Sequence, residues 1–172
     1  MNDNSESTRS FAMADVSAKA VTHRRALAVG AIRIGPDAFQ LLKEDGLPKG
    51  DPRPMAEIAG IQAAKATPTL LPLCHPISLS RASVHTVLDE ERYAVVVYCL
   101  AEIAERTGVE MEALTGASVA LLTIWDLVKP VNPALEVDQV KLLYKSGGKK
   151  GEWIHPDGLD ATSRDILGLD QA

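Results

Sequence analysis

Residues 107–130 carry the clearest pattern of apolar and polar positions in the chain. Met111, Leu114, Ser118, Leu121, Trp125 and Val128 recur at spacings of three and four, which predicts one face of a single long helix. Gly108 breaks what precedes it. Pro130 closes it, because the residue before a proline is driven out of helical geometry. Glu110 and Glu112 fall in the first turn, where the positive end of the helix dipole favours carboxylates. Asp126 and Lys129 stand three apart near the other end, neighbours at the edge of the apolar stripe. Charges at such an edge are expected to be half-desolvated, where pKa values move. The small run from Thr115 to Ser118 predicts close packing against a sheet or a second copy of the helix. Taken by itself, the segment reads as an ordinary amphipathic helix with solvated end charges.

Around it the pattern predicts a buried strand over 26–34, ended by Gly35, Pro36 and Asp37, and a short helix over 38–43. Residues 47–54 form a loop in which Pro48, Pro52 and Pro54 stiffen the chain around Lys49 and Gly50. A helix over 55–65 follows, with Met55, Ile58 and Ile61 sharing a face. Pro72 and Pro76 bracket Cys74 and His75, so the backbone there is predicted extended and rigid. That aims His75 at a definite point, as a site residue or as a buried histidine satisfied by a carbonyl. Adjacent residues of an extended chain point to opposite sides, which argues against a Cys–His nucleophilic pair. Neither cysteine has a C-x-x-C partner, which argues against zinc.

Two strands over 79–89 and 92–106 predict a hairpin, and 137–145 a last strand. Trp153 is expected to anchor the end of the ordered fold. The order β-α-α-β-β-α-β, less one helix, is the split β-α-β of an α+β ferredoxin-like sandwich, with helices on one face of an antiparallel sheet. Residues 15–156 are the expected domain, with tails over 1–14 and 157–172.

Composition narrows the classes. A chain of 172 residues suits one domain with a sizeable core. A net charge of −5 and only 4% aromatic residues argue against nucleic-acid binding, including an RNA-binding sheet. No run of about twenty apolar residues predicts a membrane span, and the polar first ten residues do not read as a signal peptide. With two cysteines that form no disulfide framework, a reducing cytoplasm is expected. Two basic clusters stand out in this acidic chain. Lys19, His23, Arg24 and Arg25 form an arm that is either solvated or reaches an anion. Residues 146–151 are glycine-rich and carry Lys149 and Lys150 beside Lys145, a composition suited to cradling a phosphate. The Walker A spacing is absent.

Six motifs occur in order: Asp15-Val-Ser-Ala-Lys19, Lys49-Gly-Asp, Ile58-Ala-Gly-Ile-Gln-Ala-Ala-Lys65, Leu71-Pro-Leu-Cys-His-Pro-Ile77, Thr107-Gly-Val-Glu-Met-Glu-Ala-Leu114 and Lys145-Ser-Gly-Gly-Lys149. Together they resemble the MoaC family of molybdenum cofactor biosynthesis, over roughly residues 13–153. The resemblance implies a ferredoxin-like subunit in a homohexamer, a trimer of dimers with active sites between subunits. It implies a lyase that turns a cyclised dihydro-GTP intermediate into cyclic pyranopterin monophosphate and releases pyrophosphate. Matched residue by residue, Lys49 and Lys129 are the implied catalytic lysines, with Asp126 beside the second. Cys74, His75, Glu110, Met111 and Glu112 are implied to line the pocket. Lys19, Arg24, Lys145 and Lys149 are implied to hold the phosphates or the base. No cofactor is implied as required, and magnesium is expected only with the triphosphate. No nucleic-acid or membrane partner is implied. Ala12, Glu105 and Lys150 depart from the family pattern, which commonly has a histidine, a glycine and a serine there. The competing expectation is a non-catalytic ferredoxin-like module that binds a nucleotide or pterin. The presence of both lysines favours the enzyme.

Overall fold

The computed structural model describes residues 11–169. The first ten residues of the expected N-terminal tail, and the last three of the C-terminal one, lie outside the described residues. Five strands form one antiparallel sheet: β1 (Thr22–Arg33), β2 (Arg81–Asp89), β3 (Ala94–Glu105), β4 (Glu136–Ser146) and β5 (Trp153–Ile154), in the order β2-β3-β1-β4-β5. Helices α1 (Pro36–Lys43), α2 (Pro52–Leu70) and α3 (Glu110–Val128) join them, and α4 (Ala161–Leu167) follows. This is the expected α+β, ferredoxin-like arrangement, with α1–α3 on one face as expected and α4 departing from it on the other.

The central strand explains its own sequence. β1 is hydrogen-bonded to β3 and β4 and covered on both faces, so Ala26 to Ile32 is a continuous buried run rather than an alternating one. One face carries Ala26, Ala28 and Ile32 into the main core under α1, α2 and α3. The other carries Leu27 and Val29 into a second, smaller core with Tyr98, Leu100, Leu143 and Tyr144. Leu167 of α4 completes that second core. The segment expected as a tail from 157 onward therefore includes a helix, and it lies on the sheet face opposite α1–α3.

The buried side of α3 is rotated from the predicted stripe. Ala113, Gly116, Ala117, Ala120, Leu121, Ile124 and Val128 are buried, whereas Met111 is substantially exposed and Leu114 and Trp125 only pack against the core edge. The same holds for α2, which buries Ala56, Gly60, Ala63, Ala64 and Thr67 and leaves Met55 and Ile58 to solvent. The cause is close approach. A Cβ on Gly60 would lie 2.9 Å from the carbonyl oxygen of Gly116, and a Cβ on Gly116 would lie 2.5 Å from Sγ of Cys99 in β3. Where Gly60 and Gly116 meet, only small side chains fit, so the predicted partners of the small run are α2 and the sheet of the same chain. By length and hydropathy α3 would suffice to cross a membrane, but here it is the core helix.

This packing makes one substitution diagnostic. Glycine to alanine inside a helix normally stabilises by about 1 kcal/mol. Gly116→Ala is instead expected to destabilise the fold by about 1–3 kcal/mol, because Cys99 and the Gly60 backbone leave no room. Urea unfolding checks this, and a gain in stability would refute the close approach.

Candidate active site

The two ends of α3 gather two separate sets of charged groups. At its C-terminal end, Lys129 Nζ donates to Asp126 Oδ1 at 2.7 Å. Lys49 reaches the same residue from the loop before α2. Its ammonium donates to the Asp126 carbonyl oxygen at 3.1 Å and lies 3.5 Å from Oδ2. The loop is stiff for local reasons. Gly50 takes φ 79° and its N–H bonds to the Leu47 carbonyl at 2.9 Å. Asp51 then caps α2 by accepting from the Arg53 N–H, and the Arg53 guanidinium holds the same carboxylate. Lys49 is thereby aimed at the last turn of α3, whose unpaired carbonyls carry partial negative charge.

The carboxylate of Asp126 bridges the two ammonium groups. The hydrogen bond from Lys129 and its charge, then those of Lys49, hold Asp126 below the usual carboxylate range. The sequence placed these groups at a half-buried edge. In the single chain their side chains are more open than that: Lys49, Lys129 and Asp126 are 42%, 53% and 57% exposed. Beside them an open groove of about 660 Å³ runs past Leu122, Trp125 and Val137.

At the N-terminal end of α3 lies a cavity of about 510 Å³. Lys19, Arg24, Arg25, Lys145, Lys149 and Lys150 line it, with Glu110 as its carboxylate. The glycine loop that closes it requires glycine. Gly147 takes φ 96°, and a Cβ there would lie 2.2 Å from the His23 carbonyl oxygen. The Gly148 N–H donates to Thr22 Oγ1 at 3.1 Å.

Several of the cations already have partners. Lys145 pairs with Glu110 at 2.9 Å. Arg24 was implied to hold the phosphates or the base, but it donates Nε and Nη2 to the backbone carbonyls of Glu105 and Arg106, at 3.0 and 3.1 Å. Arg106 in turn donates to the Lys19 carbonyl at 3.1 Å. Lys19, Lys149 and Lys150 have no ion-pair partner among the described residues. They carry the cavity's uncommitted charge.

Next to this cavity the first turn of α3 meets the 71–77 segment, which was expected to be extended but turns at 71–74, where the Cys74 N–H donates to the Leu71 carbonyl at 3.1 Å. Glu112 is 3% exposed. Burial pushes its carboxyl up, Glu110 adds to that, and a backbone hydrogen bond and His75 oppose it. Burial, then Glu112, pushes the Cys74 thiol up as well. His75 Nε2 lies 2.8 Å from the Ala14 carbonyl oxygen, so the ring N–H ties residue 14 to the site. That carbonyl contact is the structural alternative for His75, made here from a half-buried ring beside the pocket residues rather than from a fully buried one. Met111 stands partly exposed in the same turn.

Cys74, His75, Glu110, Met111, Glu112, Lys19, Arg24, Lys145 and Lys149 thus cluster at one end of α3, and Lys49, Asp126 and Lys129 at the other. Residues 110 and 126 are 16 apart, which at helical rise puts about 24 Å between the two ends.

A model described as the MoaC family matches residues 13–148. The chain belongs to the MoaC family. A relative from Nocardioides sp. is 48% identical over 145 residues, covering 84% of this chain and 89% of that protein. One from Brucella ovis is 46% identical over 145 residues, covering 84% and 88%. A third, from Chloroflexus aurantiacus, is 44% identical over 144 residues, with the same coverage. Each is named cyclic pyranopterin monophosphate synthase.

The quoted motifs leave out Arg106, which directly precedes Thr107, and Arg25, which the sequence placed in the basic arm but in no motif. Glu105, one of the departures, accepts from the Arg106 N–H with its carboxylate. Among the described residues no group of three or more His, Cys, Asp or Glu stands together as a metal-ligand set.

Proposed function

We propose that the protein is a lyase of molybdenum cofactor biosynthesis that converts the cyclised dihydro-GTP intermediate into cyclic pyranopterin monophosphate with release of pyrophosphate. Membership of the MoaC family and three relatives named for that synthase carry the reading. The contact of both lysines with one aspartate supports it over a non-catalytic module.

The chemistry divides between the two ends of α3. Closing a cyclic phosphate from a triphosphate requires a hydroxyl to attack the innermost phosphorus while the bond to the outer two phosphates breaks. The hydroxyl proton must leave, and pyrophosphate must depart with its charge stabilised. Opening the purine-derived ring requires further proton transfers. Lys129 and Lys49 are assigned as the acid and base groups, with Asp126 orienting both. The cavity of Lys19, Lys145 and Lys149 is assigned to the phosphates. Carboxylates such as Glu110 and Glu112 suit the N–H donors of a guanine-type ring, which a cation would not accept. The reading calls for no resident cofactor, and magnesium enters, if at all, on the triphosphate.

About 24 Å between the ends is more than one nucleotide spans, so one chain does not close the site. We assign the second half to another chain, in a homohexamer built as a trimer of dimers. Large apolar side chains left in water near both ends support this. Leu122 and Val137 flank Lys129, Leu70 and Leu73 flank the His75 segment, and Met55 and Ile58 crown α2. A cytoplasmic location, with neither nucleic acid nor membrane as partner, completes the reading.

Incubating the purified protein with the cyclised intermediate should yield the pyranopterin product and pyrophosphate together. No product from pure substrate would overturn the assignment. Within the site, Lys149→Ala is expected to raise KM by about 3–10-fold and leave kcat nearly unchanged, since it removes uncommitted charge rather than a proton carrier. Steady-state kinetics decide this. Normal KM with lost turnover would place Lys149 among the catalytic groups.

A further inference from the structure

The family match ends at residue 148, and α4 lies beyond it. Yet α4 touches the phosphate cavity through one residue. Arg25 lines that cavity, and its guanidinium is held from the sheet's outer face. Nε donates to Glu102 Oε1 at 2.9 Å, with the two side chains 20% and 13% exposed. Nη2 donates to the carbonyl oxygen of Leu167 at 2.9 Å. Leu167 is the last residue of α4, where unpaired helix carbonyls attract a cation.

α4 is itself fastened. Leu167 is buried with Leu27, Tyr98, Leu100 and Leu143. Asp160 caps the helix by accepting from the Ser163 N–H at 2.7 Å, and it accepts from the Tyr98 hydroxyl at 2.6 Å. Burial, then Asp160, pushes the Tyr98 hydroxyl well above its usual range, so it stays a donor. Burial alone would raise Asp160, but the hydrogen bonds from Tyr98 and Ser163 leave it lowered.

Among the cavity's paired cations, Arg25 differs. Lys145 pairs with Glu110, which itself lines the cavity, and Arg24 holds carbonyls of the adjoining 105–106 segment. Both partners of Arg25 lie off the cavity, and one of them belongs to α4. Arg25 also pairs in register with Ser146, which leads directly into the Gly147–Gly148 loop.

We propose that Arg25 is a positioning residue of the phosphate cavity and that α4 is the brace that holds it in place. The ligand, a pyrophosphate group, rests on the lyase reading above. The brace sets the direction of the guanidinium and backs the strand from which the glycine loop departs. Loss of α4 frees Arg25 to follow Glu102 alone and loosens the loop.

Pyrophosphate binding by calorimetry tests this without any need for turnover. The variants are Arg25→Met, a chain ending at Gly158, and the two combined. Each alone is expected to weaken pyrophosphate binding about 3–10-fold, and the combination no more than the worse of the two, because both remove one device. Arg25→Lys should recover only part, since an ammonium cannot span Glu102 and the Leu167 carbonyl as the planar fork does. The shortened chain should raise KM by the same factor and keep kcat within about twofold. A merely structural helix would lower the active fraction and leave both affinities alone. Should the shortened chain fail to fold, Asp160→Ala removes the cap and the Tyr98 bond and takes its place. Wild-type affinity in either single variant, multiplying effects in the pair, or full-length protein that does not bind pyrophosphate overturns the brace.

Discussion

Lys129→Ala is expected to lower turnover by about 10²–10⁴-fold while the fold and the oligomer persist. The structure separates these effects. The Lys129–Asp126 pair is about half exposed on both sides, and such solvent-screened pairs contribute little to stability. Lys49 stays on Asp126 when Lys129 is gone, through both the carbonyl and the carboxylate. Circular dichroism and light scattering should therefore match the parent. Lys129→Arg is the sharper variant. It keeps a positive charge beside Asp126, but a guanidinium does not give up its proton near neutral pH. It is expected to fail as fully as alanine. Substantial activity in Lys129→Arg would make the residue a fixed charge and pass the acid–base work to Lys49 alone.

That Lys49 meets Asp126 was not legible in the chain itself. The two are 77 residues apart, and no periodicity links a proline-stiffened loop to the last turn of α3. Their joint role entered only through the resemblance. The element order was legible, because strands and helices announce themselves by apolar period and by Gly and Pro breaks. Which helix face is buried was not. The large residues Met111, Met55 and Ile58 drew the predicted stripes, whereas close approach at Gly60 and Gly116 selects the small ones. The large residues left outside are those expected to meet a second chain. α4 was missed because its apolar content is small, but its caps were readable. Asp160 stands three residues before Ser163, and Gly168 takes the left-handed turn at φ 67°. Arg25 was readable too. Strand alternation puts it on the face of Leu27 and Val29, away from Arg24.

Two defective chains should restore activity to each other. One chain carries Lys129→Ala and keeps its phosphate cavity. The other carries Lys19→Glu and Lys149→Glu and keeps its lysine pair. Neither should turn over substrate held well below KM. If a site takes its lysine end from one chain and its cavity from another, co-expressed chains assemble some sites from two intact halves. With random 1:1 mixing, each half is intact with even odds, so about one quarter of sites should work. The separation along α3 makes the outcome sharp. About 24 Å lies between the two ends of one chain, so no rotamer change lets a single chain supply both. The substitutions also lie away from Met55 and Ile58, which leaves that apolar contact surface of each chain unchanged. Light scattering on the mixture should give roughly six times the 18.4 kDa chain mass. Mixed oligomers of that size with no more activity than either parent would mean that each site is built within one chain, and the shared-site reading would fall.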